Sequence, residues 1–411
     1  MRLSHCAATA LSLALATSIA HADVTILGKP QLGVFPEIQA AVDAASQNDI
    51  LVVEDDVYSG FVIHNKSLTV IAAPGALAEI NGTCEVRSLG PMRTVTLIGL
   101  SVTGEHFITS QPALRLLDNL GAVRLQACML RGSTTPSWQF GSDGGPGAQV
   151  VRSSKVIFTR CMVFGRSLGF LSGEAPKAGG VGLESLDSQV ALYECVVRGG
   201  KGSEETYPAG GAGGDGCRVS GWGVFASGTT IEGGRGGGGD YLGLTVGGDG
   251  GHALVIEDAT AKLYDGSLTG GLASTFPTPG VAGQRVMATN ALVNEYGSQH
   301  RSLGGPTETS DNATVVFNVG GKPGDTVELL VSSRSVFTYM SSLSGVSTVA
   351  QPWNLIPVGT IGPSGTLAVP YFIADQTWPQ AGRTLNFQAV VTNGLNQRFL
   401  SSPIQVLVRN N

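Results

Sequence analysis

The sequence predicts an all-β chain: a parallel β-helix solenoid with an N-terminal capping helix, followed by a small C-terminal β-sandwich. Three observations carry this. One apolar pattern recurs with a drifting period of about thirty residues. Glycine reaches 59 of 411 residues while the apolar segments between the glycines stay well formed. After about residue 285 the repeat is lost, and after 310 seven or so short alternating strands follow.

The chain opens on Arg2 and an apolar run from Ala7 to Ala20, then Ala20-His21-Ala22, with small residues where a signal peptidase reads. Residues 1–22 are therefore expected to be a secretory signal peptide and the mature protein to be secreted, extracellular or at the cell surface. No later segment is long and apolar enough for a transmembrane helix. A formal net charge of −6 with 14% charged residues gives no footprint for nucleic acid.

The repeat reads apolar-x-apolar-x-x-apolar-x-apolar-x-Gly. It appears at Val95–Gly104, Val123–Gly132, Val156–Gly165 and Val190–Gly199, with weaker copies from Val224 and Ala261; the start-to-start spacings are 28, 33, 34, 34 and 37. Alternation with period two places every second side chain inside, and a two-residue corner resets the phase. No such unit buries its apolar face alone, so units must stack into a solenoid. Stacking brings Cys128, Cys161 and Cys195 to one inward position in consecutive units, and a ladder of buried, unpaired thiols is expected.

The open end needs a cover. Ile38, Ala41, Val42 and Ala45 recur at helical spacing after Pro36, which suits a first helical turn. The stretch Ile38-Gln-Ala-Ala-Val-Asp-Ala-Ala45, with Asp49-Ile-Leu-Val-Val53 and Val57-Tyr-Ser-Gly60, resembles the opening of pectin-lyase-like proteins. That resemblance runs from about Phe35 to Gly271. It implies a right-handed parallel β-helix whose first coil is covered by the helix.

The expected division is solenoid over 23–285, linker over 286–310 and β-sandwich over 311–411. Strands such as Thr314–Asn318, Thr326–Val331 and Leu385–Val391, separated by turns such as Lys322-Pro-Gly-Asp325, support the last part. The solenoid is expected to fold without it.

Long glycine-rich insertions at 133–147, 166–180, 200–216, 234–251 and 271–284 enter the repeat at one phase and should project from one side. They carry Trp138, Phe140, Phe170, Tyr207, Tyr241 and Phe276. Two readings stand: a row of rings, with Trp138, Tyr207 and Tyr241 as ligand-binding residues that stack on sugar faces, or rings that pack on each other. Three insertions end in acidic-glycine runs at Asp143, Asp215 and Asp249, which resemble calcium-binding turns; the plainer reading is a tight turn in which Asp bonds its own backbone and Gly takes positive φ.

Enzymes of the pectin-lyase-like fold carry motifs absent here. Gly251-His252 is followed by Ala253 rather than Gly, Asp55-Asp56 is the one Asp pair, and neither Asp-His nor Asp-Phe occurs. Arg160 and Glu194 share an outward position, read as a charge-paired ladder before a base and an acid. The expectation is a secreted or cell-surface protein that presents loops to an extracellular polysaccharide or cell surface. The alternative is a polysaccharide lyase or hydrolase with a divergent site.

Overall fold

The structure, a computed structural model, describes residues 23–104, 110–133, 143–171, 175–205, 209–239, 246–275, 278–297, 299–351, 353–375 and 381–410. The expected signal peptide lies outside these residues. The chain is all-β, and its N-terminal two thirds form three stacks of parallel strands.

Stack 1 runs from Asp49–Val53 through Leu68–Ala72, Thr94–Ile98, Ala122–Gln126, Val156–Thr159, Gln189–Tyr193, Gly223–Ser227 and Thr260–Tyr264 to Leu292–Tyr296. Two short strands, Val24–Ile26 and Val34–Phe35, extend it antiparallel at the start. Stack 2 runs from Asp56–Ser59 to Ser267–Thr269, and stack 3 from Val62–His64 to Val286–Thr289. Each unit supplies one strand to each stack in turn, so every strand bonds to its counterpart one unit away. One apolar cluster draws on all three stacks, from Val24 and Leu51 to Leu263 and Leu268.

Corners between stacks 1 and 2 hold one residue in the left-handed region: Ala127, Arg160 and Glu194 all have φ of 53°. The next residue then turns inward, and Cys128, Cys161 and Cys195 fill this rung of the interior, all buried and free. Main-chain bonds from Met162 to Cys128 (2.9 Å) and from Val196 to Cys161 (3.0 Å) keep the rung in register. At the corner between stacks 3 and 1, buried Asn119 accepts from the Leu89 amide (3.1 Å) and donates to the Val86 carbonyl (2.9 Å). Such bonds satisfy main-chain groups that water cannot reach.

The helix Ile38–Ala44 covers the first unit with Ile38, Ala41 and Val42 buried, as its spacing predicts. The far end differs from expectation. Val286–Thr289 and Leu292–Tyr296 lie inside the presumed linker, yet they pair in parallel with Leu254–Glu257 and Thr260–Tyr264. The stacks thus continue to Tyr296, because the alternation Leu292-Val-Asn-Glu-Tyr still suits a final rung.

The C-terminal part has a three-stranded sheet and a six-stranded sheet. Phe317 and Val369 from the first meet Leu329, Phe387 and Val406 from the second in a common core. This part lies along the outer face of stack 1 rather than over its end. Leu407 packs on Ile50, Val52, Ile71 and Ile98, and Val346 packs with Ile157, Ala191, Tyr193, Phe225 and Tyr264.

Candidate functional site

The insertions between stacks 2 and 3 are the feature that sets this chain apart, and glycine decides their form. Each leaves stack 2 along an outgoing run (Gly165-Arg-Ser-Leu168, Gly199-Gly-Lys-Gly-Ser203, Gly233-Gly-Arg-Gly-Gly-Gly238) and re-enters stack 3 along a returning run (Ala178-Gly-Gly-Val-Gly182, Gly210–Gly216, Gly247–Gly251). Hydrogen bonds follow a three-residue rhythm. Gly210, Gly213 and Gly216 donate to Val246, Asp249 and His252 of the next returning run, at 2.8–2.9 Å. Gly211 and Gly214 donate instead to Ser203 and Gly200 of their own outgoing run, at 2.9 and 2.8 Å. Gly200 and Gly234 in turn donate to Gly180 and Gly214 of the preceding unit, both at 2.7 Å.

A three-residue period with no bonds inside the run is the signature of polyproline II winding. Here the bonds go sideways, and the runs form a two-layered slab. Its layers approach so closely that side chains do not fit between them. A Cβ on Gly199 would lie 1.9 Å from the Gly214 carbonyl oxygen, and one on Gly165 equally close to that of Gly180. The slab glycines also lie outside the left-handed region. Their role is therefore close approach of backbones, which corrects the expectation of positive-φ turns. Only each third residue faces outward, which explains the Gly-Gly-x rhythm of Gly213-Gly-Asp and Gly247-Gly-Asp.

The three acidic residues read as calcium ligands have main-chain partners across units. Asp143 accepts from the Ala178 amide at 2.8 Å, Asp215 from that of His252 at 2.9 Å, and Asp249 from that of Val281 at 2.6 Å. Asp215 also pairs with Arg218 at 2.7 Å. The parallel bridge of Ala209 with Val246 sets the register, so Asp249 is level with Ala212 and not with Asp215. Among the described residues no three His, Cys, Asp or Glu side chains gather as a metal would need. These carboxylates stitch the returning run of one unit to that of the next, rather than closing a turn on their own backbone.

Trp138, Tyr207 and Tyr241 lie outside the described residues, as do Phe140 and Phe276. The runs that flank them are described. Glu204–Glu205 pairs with Phe170–Leu171, and bridges join Ala209 to Val246 and Val246 to Thr278. Successive insertions therefore reach the outer edge of the slab one rung apart, roughly 4.8 Å by strand spacing.

Arg160 and Glu194 do meet, at 3.7 Å, but in company that sequence spacing could not supply. Glu194 also accepts from Ser402 (3.0 Å) and faces His300 (3.3 Å), whose other ring nitrogen meets Ser227 at 2.9 Å. Arg160 donates to the Leu303 carbonyl at 3.3 Å. All of these groups sit where the C-terminal part meets stack 1, with Ser227 and Ser402 buried. The cluster ties the two parts of the chain together.

No family model matches the chain, and no curated protein matches it. Among solved structures, the superoxide reductase (neelaredoxin) from Ignicoccus hospitalis aligns at 10% identity with a TM-score of 0.18, over 27% of this chain and 80% of that one. A likeness of that size carries no argument.

Proposed function

We propose that this is a secreted or cell-surface recognition protein. In this reading the three stacks wind as a right-handed parallel β-helix, the C-terminal part is a β-sandwich, and the slab holds a row of loop tips against a polysaccharide. The observation that carries the reading is the slab itself. A two-layered array of backbone hydrogen bonds has almost no side-chain entropy to lose, and it extends a rigid platform away from the stacks. Rigid platforms that end in variable tips are a common way to present binding residues. The segments between the outgoing and returning runs carry Trp138, Tyr207 and Tyr241 in sequence, ring types that stack on sugars and give large contact area for few rotatable bonds.

The test is a glycan array followed by titration. Each ring should contribute about 0.5–1.5 kcal/mol beyond its area, so one Tyr→Ala change costs up to about tenfold. The triple change at Trp138, Tyr207 and Tyr241 should abolish binding. Calcium belongs to the same test: a thermal shift on adding the ion would support metal at Asp143, Asp215 or Asp249. The absence of glycan binding across the array would leave the slab as a structural element and overturn the recognition reading.

A further inference from the structure

In the first two units the corner between stacks 2 and 3 is short, Gly60-Phe61 and then Gly82-Thr83. From the third unit the same corner lengthens, and the first slab layer begins where Gln111 and Ser133 exchange bonds at 2.7–3.1 Å. This jump in corner length leaves a step at the flank of the slab. The step holds a cleft of about 420 Å³ lined by Ser59, Asn81, Thr83, Glu85, Gln111 and Arg115, among others. That volume falls within the roughly 300–1,000 Å³ of small-molecule sites.

We propose that this cleft binds a neutral, hydroxyl-rich glycan unit. Its floor is rigid: a Cβ on Gly60 would meet the Thr83 carbonyl oxygen at 2.6 Å, and one on Gly82 would meet the Gly60 nitrogen at the same distance. Its polar groups come in both senses and are held in place. Glu85 is flanked by Arg87 at 3.2 Å and Arg115 at 3.8 Å, and Arg115 donates to Gln111 at 2.6 Å. A carboxylate beside a guanidinium suits a pair of neighbouring hydroxyls, one donating to the acid and one accepting from the planar fork. Asn81 on the exposed rim adds an amide that both donates and accepts, and the hydroxyls of Ser59 and Thr83, which donate to Glu37 (3.3 Å) and the Pro112 carbonyl (2.8 Å), add acceptors. An acidic sugar would instead have to compete with Glu85 and Gln111 for Arg115. The lining of the cleft includes none of Trp138, Tyr207 and Tyr241, so the inference stands apart from the loop reading.

The experiment is calorimetric titration of the 23–411 chain with cellobiose, maltose and digalacturonate. A neutral disaccharide is expected to bind, and Glu85→Gln and Arg115→Gln should each weaken it about tenfold or more, the loss of one charge-assisted hydrogen bond. Thermal unfolding of each variant reports whether it folds. Ser59→Trp on the rim, which fills the cleft without touching its ion pairs, should abolish binding if either variant unfolds. The Trp138, Tyr207 and Tyr241 triple variant should retain this binding. No binding by either neutral sugar, binding by digalacturonate alone, or binding lost in the triple variant but kept in the cleft variants would each overturn the proposal.

Discussion

The Arg124 guanidinium on stack 1 donates to the side-chain oxygen of Asn386 at 2.7 Å, across an interface in which both residues are buried. Its other donors go to the carbonyl oxygens of Thr348 (2.7 Å) and Val336 (3.2 Å). A buried cation is thus held by neutral oxygens contributed by the C-terminal part. Removing it would strand the Thr348 and Val336 carbonyls, at about 1–3 kcal/mol for each buried group left without a partner, while the Asn386 oxygen keeps Gln405 as a donor at 3.1 Å. Arg124→Ala should therefore lower stability by about 3–5 kcal/mol in denaturant unfolding. A loss below 1 kcal/mol would mean that water replaces the side chain.

The same residue predicts a pH dependence. Burial pushes its guanidinium down to about 9. Below that pH the folded and unfolded chains are both protonated, so the group adds no slope. Above it the folded chain releases the proton first, the unfolded chain binds more protons, and this group's contribution to stability rises with pH. Arg124→Ala should lack that alkaline gain, which unfolding curves from pH 7 to 11 would reveal.

The C-terminal part covers an apolar face, and this changes what truncation should do. Ile50, Val52, Ile71, Ile98, Ile157, Phe225 and Tyr264 are buried beneath or beside it. A 23–299 fragment would expose that row, along with Tyr193, which now bonds to the Val346 carbonyl at 3.0 Å. It is expected to bind a hydrophobic dye and to self-associate in analytical ultracentrifugation. A monomeric fragment with an unchanged melting temperature would restore the expectation of independent folding.

Two glycines offer a matched pair of tests for the slab. Gly199→Ala puts a methyl group 1.9 Å from the Gly214 oxygen, whereas Gly169 has no atom within 4 Å of its would-be Cβ. The first substitution must push the layers apart, at a cost of at least about 2 kcal/mol, while the second should fall within about 0.5 kcal/mol of neutral. Hydrogen exchange at the amides of Gly200, Gly214 and Gly234 would report the opening directly. Equal effects from the two variants would argue against side-chain exclusion between layers.

How much of this was legible follows from where the signals lie. The stacks and the thiol rung were readable because period-two alternation and a constant phase repeat locally. The covered face of stack 1 was also written in the chain, though less plainly. In Asp49-Ile-Leu-Val-Val53 and Val190-Ala-Leu-Tyr193 consecutive residues are apolar, the mark of a strand buried on both sides. The slab could have been inferred from Gly-Gly-x, since a three-residue period excludes both helix and strand. The meeting of Glu194 with His300 and Ser402 could not, because its partners lie 106 and 208 positions away and their approach depends on how the C-terminal part docks. The cleft depends on a change in corner length between neighbouring units, which no single motif records.

The last prediction concerns the thiols. Cys128, Cys161 and Cys195 lie on one interior rung, and Cys84 and Cys217 are equally buried on stack 3. Burial, reinforced by the neighbouring Cys195 thiol, holds Cys161 well above its ordinary value, and burial beside Asp215 pushes Cys217 up to about 12. The thiolate is the reactive form, so at neutral pH these groups should resist alkylation. Iodoacetamide added to the native 23–411 chain should leave all five unmodified by intact mass, and denaturant should expose them together. Alkaline pH should act through the same groups with a sign opposite to that of Arg124. Above about pH 8.5 the unfolded chain ionises its thiols while the folded chain keeps Cys84, Cys128, Cys161 and Cys217 protonated, so their contribution to stability falls as pH rises. Rapid native labelling of the Cys128, Cys161 and Cys195 rung would sink the interior assignment. Labelling of Cys217 alone would instead mean that the stack opens locally at Cys217–Ser220, where the slab returns to it.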